Sequence, residues 1–326
     1  MVEFYCNAFE VTMKEYIGID VGGTKCAVLK GNESGISERI SFATTDLDTT
    51  LNMIFDAVSR LMPAECIGVS CGGPLDERRG VIMSPPNLPG WDDVALIDML
   101  RERFSVPAYL CNDANACALA EWRFGAGQGC DDMIFLTFGT GLGAGLILDG
   151  RLYVGKSGMA GEAGHIRLAP NGPVGYGKAG SFEGFCSGGG IAALGRSYAE
   201  DALARGESVA WCENEEEILK ITTKKLAEYA KRGDPDALKI FDTSAERLGE
   251  GLSVLIDILN PERIVIGSVY ARCEELFARR LNEVLRREAL AQSLSVCTVL
   301  PAALGEQIGD YAALTVAIEG ERLWRK

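Results

Sequence analysis

Apolar residues recur along this chain in two alternating rhythms. Short apolar runs at Tyr16–Asp20 and Cys26–Lys30 read as strands, joined by the turn Val21-Gly22-Gly23-Thr24-Lys25, and Glu38–Ala43 reads as a third strand. Leu51, Ile54, Phe55, Val58 and Leu61 repeat every three or four residues, which predicts a helix over Leu47–Leu61. Cys66–Ser70 reads as a buried strand, Val94–Phe104 as a helix and Ala108–Cys111 as a strand. A helix over Asn112–Trp122 opens directly from the end of that strand. Met133–Phe138, the glycine turn Gly139–Gly143 and Ala144–Leu148 then repeat the opening strand–turn–strand plan. Helices over Glu215–Lys231 and Asp236–Leu259, strand Arg263–Ile266, helix Cys273–Glu288, strand Ser295–Leu300 and helix Gln307–Leu323 complete the series. Residues 1–15 read as a tail or an added edge strand, with Met13 as an alternative start.

Hairpins followed by alternating strands and helices predict an α/β protein with two related halves packed around a cleft. The length, 326 residues, also favours two domains. Glycine, 39 of 326 residues, gathers in a few loops, as expected where backbone approaches a ligand closely. A net charge of −14 argues against nonspecific binding to nucleic acid or an anionic membrane. The apolar stretch Met133–Leu148 is 16 residues long and carries four glycines, short of the ~20 a membrane helix needs. The N-terminus has neither the basic nor the apolar region of a signal peptide. Eleven cysteines without a CxxC pair read as reduced, buried thiols in a cytoplasm rather than as disulfides or a zinc cluster.

Four segments carry candidate chemistry. Asp20-Val-Gly-Gly-Thr-Lys25 offers successive amides for an anion and a carboxylate for magnesium held through water, though a plain hairpin turn would look similar. Phe138-Gly-Thr-Gly-Leu-Gly-Ala-Gly145 fits a second phosphate-binding hairpin; no helix opens there, so it is not a dinucleotide fingerprint. In Leu110-Cys-Asn-Asp-Ala-Asn115, Asn112 can cap the helix and leave Asp113 free as a general base, or either residue can be a simple cap. Gly161-Glu-Ala-Gly-His165 holds the only histidine; with Glu162 and Glu183 it suits a hydroxylated substrate such as a sugar, whose hydroxyls both donate and accept. Gly172–Lys178 matches GxxxxGK, but Ala179 stands where the magnesium-binding hydroxyl belongs. The acidic run Glu213–Glu217 reads as a solvated helix start.

The ordered segments IGIDVGGTK, SCGGP, SPPNLPGW, CNDANACALAE, FGTGLGAGLI, GMAGEAGHI and NPERIVIG resemble the ROK family of sugar kinases and repressors, from about Glu15 to the C-terminus. The resemblance implies an actin-like ATPase fold: two ribonuclease-H-like α/β domains flanking a cleft. It implies a smaller domain of residues 1–112 plus 307–326 and a larger one of 113–306. It implies Asp113 as the base, Asp20 as the magnesium-side carboxylate, and Gly22, Gly23, Thr24 and Lys25 as the first phosphate loop. Gly139, Thr140, Gly141 and Gly143 become the second loop, and Gly267 marks the adenosine side. Asn87, Asn112, Asp113, Glu162, His165 and Glu183 form the implied sugar shell.

Two departures stand out. Many family members carry CxCGxxGCxE, whose cysteines bind zinc with the GH-motif histidine; here the run is Val174-Gly-Tyr176-Gly-Lys-Ala-Gly-Ser181-Phe-Glu183. No structural zinc is therefore expected, and Tyr176 and Phe182 are expected to pack the loop instead. After Ile266, Gly267-Ser-Val-Tyr270 replaces the family's several glycines, which bears on nucleotide fit. The expected activity is that of a cytoplasmic, homodimeric ATP- and Mg2+-dependent hexose kinase. It would act on the 6-hydroxyl of glucose or a related hexose or N-acetylhexosamine, without nucleic-acid or membrane partners. The alternative is a non-catalytic sugar-binding ROK protein or regulator. ROK repressors carry an added DNA-binding domain, and about fifteen residues ahead of the first strand are too few for one.

Overall fold

The computed structural model describes residues 13–324. The chain divides into two units, Met1–Asn112 with Asp310–Lys326, and Asp113–Gly309.

The first unit opens with β1 (Tyr16–Val21), β2 (Lys25–Asn32) and β3 (Gly35–Ala43). Then follow α1 (Leu47–Leu61), β4 (Ile67–Cys71), a small hairpin β5 (Leu75–Asp76) and β6 (Val81–Ile82), α2 (Leu96–Phe104) and β7 (Ala108–Asn112). The sheet order is β3-β2-β1-β4-β7, antiparallel among the first three strands and parallel from β1 through β4 to β7. The α1 helix starts where the Asp46 carboxylate accepts the Thr49 amide at 3.0 Å. It buries the Leu51–Leu61 stripe that its spacing predicts. The α2 helix begins at Leu96 rather than Val94, because Val94 pairs with Ile82 as an extended bridge.

The second unit runs through α3 (Asp113–Phe124), β8 (Met133–Leu136), β9 (Ala144–Leu148), β10 (Arg151–Leu152) and the hairpin β11 (Val174–Gly175) and β12 (Lys178–Ala179). It continues with α4 (Phe182–Phe185), α5 (Gly188–Ala204), α6 (Glu215–Ile218), α7 (Thr223–Lys231), α8 (Pro235–Leu259) and β13 (Arg263–Ile266), then α9 (Ser268–Glu288), α10 (Ala291–Leu294) and β14 (Thr298–Pro301). Its sheet, β10-β9-β8-β13-β14, again joins an antiparallel hairpin to parallel strands. The chain returns to the first unit in α11 (Ile308–Glu319). There Gly68 lets the helix close onto the sheet: a Cβ at this position would lie 2.2 Å from the Ala317 nitrogen.

Several expectations are corrected. The β8 strand stops at Leu136, because Phe138 turns into an aromatic cluster and stands 5.6 Å from Phe277, ring to ring. The helix expected over Glu215–Lys231 is two, since the Thr222 hydroxyl starts α7 afresh by accepting the Lys225 amide. The α9 helix begins at Ser268, with a non-helical break at Cys273 (φ −138°). Residues 295–297 form a turn after α10 rather than the start of β14. The α11 helix ends at Glu319 and tightens into a 3-10 segment over Gly320–Trp324. The expected edge strand at 1–15 lies outside the described residues for 1–12, and residues 13–15 form no strand. The pattern missed α5 altogether. Every cysteine among the described residues is a free thiol, and no helix among them is long and apolar enough to cross a membrane.

Candidate functional site

In the first unit, Asp20 is half-buried at the end of β1, opposite Ala27. In the following turn Gly22 N–H is tied inward, to Lys25 C=O at 3.2 Å. Thr44, from the end of β3, holds its far side. Its hydroxyl donates to Gly22 C=O at 2.6 Å and its amide to Thr24 C=O at 3.0 Å. The amides of Gly23 and Thr24 have no hydrogen-bond partner among the described residues, which is the pair of donors an anion nest needs. Thr24 and Lys25 are exposed. The Cys26 thiol lies 3.3 Å from the Thr44 hydroxyl, and burial pushes its pKa up.

Gly23 touches the loop that carries Asn87: a Cβ on Gly23 would lie 2.3 Å from the Asn87 carbonyl oxygen. That loop is anchored by fully buried Trp91, whose carbonyl accepts the Ser84 amide at 2.9 Å, and Asn87 itself is exposed. Asn112 ends β7, where its amide donates to Glu77 Oε1 at 2.6 Å. Glu77 sits in the β5–β6 turn. Neither Thr44 nor Glu77 lies in a recognisable motif, so the sequence held no signal for their roles.

In the second unit, Asp113 is the first residue of α3. Its own Oδ1 accepts the Ala114 amide at 2.8 Å. Solvent reaches the side chain, yet protein crowds the carboxyl from most directions. This desolvation raises its pKa, against the lowering effect of the Ala114 bond. A carboxylate so raised is a stronger base.

The second turn is committed at three of its amides. Gly139 N–H donates to Gly141 C=O at 3.1 Å, Gly143 N–H to the Thr137 hydroxyl at 2.8 Å, and Leu142 N–H to Glu183 Oε2 at 3.0 Å. The amides of Thr140 and Gly141 keep no partner among the described residues, matching the pair in the first turn. Gly188, at the start of α5, donates to Gly139 C=O at 2.7 Å. Gly267 donates to Leu136 C=O at 2.9 Å, and Val269 to Phe138 C=O at 2.9 Å, so the 267–269 segment lies along the exit of β8. Between them Ser268 adopts φ +56°, a left-handed conformation that favours glycine.

Glu162 precedes a tight 3-10 turn, Ala163–His165, that His165 ends, and both residues are exposed. Gly164 seats this turn: its Cβ would lie 2.1 Å from the Leu142 carbonyl oxygen. The His165 ring meets Tyr176 edge-on at 6.4 Å, and its carbonyl accepts Lys178 Nζ at 2.7 Å. Contrary to expectation, Tyr176 does not pack the loop; it stands 91% exposed at the tip of the β11–β12 hairpin with φ +42°. Phe182 does pack, fully buried against Gly251 of α8, while Ser181 caps α4 by accepting the Gly184 amide at 3.1 Å. No group of three or more His, Cys, Asp or Glu side chains among the described residues could hold a metal ion. One carboxylate, Asp20, beside a turn with two open amides does fit a magnesium ion that keeps its waters and takes its other ligands from phosphate.

Within each unit, then, the structure joins a glycine turn to expected sugar-shell residues: Gly23 with Asn87 in one, the second turn with Glu183 and the 162–165 segment in the other. The chain matches the ROK family model over residues 16–319. The glucokinase of Thermotoga maritima is 30% identical over 311 residues, covering 93% of this chain and 97% of that one. The xylose repressor of Caldicellulosiruptor bescii is 31% identical over 290 residues, 85% of this chain and 71% of that one. The crystal structure of a ROK family glucokinase from Streptomyces griseus with glucose and AMPPNP aligns with a TM-score of 0.73 at 31% identity, over 94% of this chain and 100% of that one.

Proposed function

The chain belongs to the ROK family, and from that premise we propose that it is an ATP-dependent hexose kinase. The observation that carries this reading is the environment of Asp113. Its carboxyl opens a helix at the end of a strand, is reached by solvent, and has its pKa raised by desolvation. In the proposed reaction Asp113 accepts the proton of a sugar hydroxyl, the 6-hydroxyl of glucose or a related hexose or N-acetylhexosamine. The hydroxyl oxygen then forms its bond to the γ-phosphorus as the bond from that phosphorus to the β–γ bridging oxygen breaks, and ADP leaves with the electron pair. Asn87, Asn112, Glu162, His165 and Glu183 orient the sugar. The paired open amides of Gly23–Thr24 and Thr140–Gly141 hold phosphate oxygens, with Lys25, Gly22, Gly139 and Gly143 shaping the turns and Gly267 on the adenosine side. Asp20 would hold magnesium through water; the ion, when bound, shields phosphate charge.

The same reading takes residues 1–112 plus 307–326 and 113–306 as the two domains, and the protein as a cytoplasmic homodimer without structural zinc. The acidic charge supports the absence of nucleic-acid and membrane partners. A second reading, a sugar-binding protein or regulator without turnover, draws on the similarity to a xylose repressor. ADP release from Mg-ATP across hexoses and N-acetylhexosamines separates the two. A sugar-dependent signal lost in Asp113→Asn supports the kinase. ATP binding with no signal from any sugar refutes it.

A further inference from the structure

Glu183 sits at the junction of two functions that the sequence assigns to separate segments. It lies in the first turn of α4, whose start is fixed by the Ser181 cap and by Phe182 beneath it. From there its Oε2 accepts the Leu142 amide at 3.0 Å. Its Oε1 takes no hydrogen bond among the described residues. Glycine at 141 leaves room for this arrangement, since a Cβ there would lie 2.6 Å from Oε2. The other face of the same peptide region is also occupied: the Leu142 carbonyl rests on Gly164, next to His165.

We propose that Glu183 is a positioning residue that fixes the second phosphate turn from the sugar side, so that the acceptor shell and the phosphate amides form one mechanical unit. The inference rests on the kinase reading and deepens it. The Leu142 amide is not a phosphate donor: the carboxylate has taken it. That bond, with the Thr137–Gly143 and Gly139–Gly141 bonds, leaves the Thr140 and Gly141 amides as the open pair. Without the brace the turn gains conformations in which the pair is not aligned. Nucleotide affinity then falls by the share of time spent in them. A sugar hydroxyl on Oε1 would restrain the carboxylate further and so order the turn, coupling the two sites without any large movement.

The test compares wild type, Glu183→Ala and Glu183→Gln as full chains, first matched for thermal melting. Hydrogen exchange is followed over a peptide spanning residues 139–145, without ligand. Binding of AMPPNP with Mg2+ is measured by calorimetry, without sugar. Losing a hydrogen bond to a charged acceptor predicts faster exchange and about tenfold weaker AMPPNP binding in Glu183→Ala. Glu183→Gln keeps an amide oxygen for the Leu142 N–H and is expected to recover affinity to within about threefold. A residue that only touched sugar would move neither quantity, since no sugar is present. Unchanged exchange, or faster exchange with unchanged AMPPNP affinity, overturns the proposal. Wild-type protein that binds no AMPPNP refutes the kinase reading instead, and unchanged exchange would then still reject the brace on its own.

Discussion

Replacing Glu121 should destabilise the second unit far more than a surface carboxylate would. Its side chain is fully buried in α3, a little over two turns beyond Asp113. Among the described residues it is satisfied by backbone alone: Oε2 accepts the Ala126 amide at 2.8 Å and the Ala303 amide at 3.1 Å, and Oε1 accepts the Leu304 amide at 2.9 Å. One carboxylate thus moors the end of α3 to the segment that follows β14. In Glu121→Gln the amide oxygen can serve only one side. If it replaces Oε2, the new NH2 faces the Leu304 N–H, donor against donor. One bond to a charged acceptor is lost and two weaken, which sums to about 3 kcal/mol. Glu121→Ala strands all three donors and should cost about 3–9 kcal/mol.

Calorimetric melting measures this directly. For a unit of this size 1 kcal/mol moves the Tm by about 2–4 °C, so Glu121→Gln should melt about 6–12 °C lower. Turnover per folded molecule should hardly change, because the mooring lies at the end of α3 away from Asp113. A Glu121→Gln variant within about 0.5 kcal/mol of wild type, the range of ordinary surface changes, would refute the reasoning.

Asp113→Asn should lower turnover by about 10²–10⁴-fold, with sugar binding retained. Because desolvation raises the Asp113 pKa in the folded chain, its contribution to stability is most favourable below the unfolded pKa and is lost as pH rises through the folded one. The variant should therefore melt higher than wild type at about pH 8 and lose that advantage at about pH 3; the reverse pattern in melts at both pH values would contradict the desolvation. Gly23→Ala should push the Asn87 loop aside, since the new Cβ meets the Asn87 carbonyl at 2.3 Å. Steady-state kinetics should show about a tenfold rise or more in sugar KM, and an unchanged KM would mean that Asn87 is not held there for the acceptor. Ser268→Val should lose about 1–2 kcal/mol, because a branched side chain resists φ +56°, while Ser268→Gly should match or slightly exceed wild type. Equal urea midpoints for the two would argue against the left-handed backbone.

The legible parts of this chain are those whose information is local. The stripe from Leu51 to Leu61 gave the bounds of α1, and the apolar runs gave those of β9 and β13. Asp113 could be singled out because the strand before it and the helix after it are both visible in the pattern. The α5 helix was invisible for a physical reason: it opens with three glycines, poor helix formers, and its buried side chains are mostly small. Those glycines serve contacts rather than propensity. Gly188 reaches Gly139, and Gly190 lies where a Cβ would meet the Gly184 carbonyl at 2.1 Å. Thr44 and Glu183 were unreadable as braces because each acts on a turn far away in sequence, 22 and 41 residues off.

The two glycine turns differ in how they are held, a difference that would bear on catalysis in the proposed kinase. Each leaves two adjacent amides open, but the first is tied by a neutral threonine and the second by a carboxylate. A carboxylate beside a phosphate turn opposes the anion it helps to position, unless its charge is spent on a fixed donor. The Leu142 amide is that donor, and a hydroxyl on Oε1 would be the second. A bound sugar would then both supply the reacting oxygen and draw the carboxylate's remaining charge away from the phosphates. The second turn would be at its best for nucleotide only with an acceptor in place, which is the condition under which phosphoryl transfer to water is suppressed. Only the second turn carries this dependence, so substituting Glu183 should weaken the synergy between sugar and nucleotide, whereas substituting Thr44 should weaken nucleotide binding equally with and without sugar.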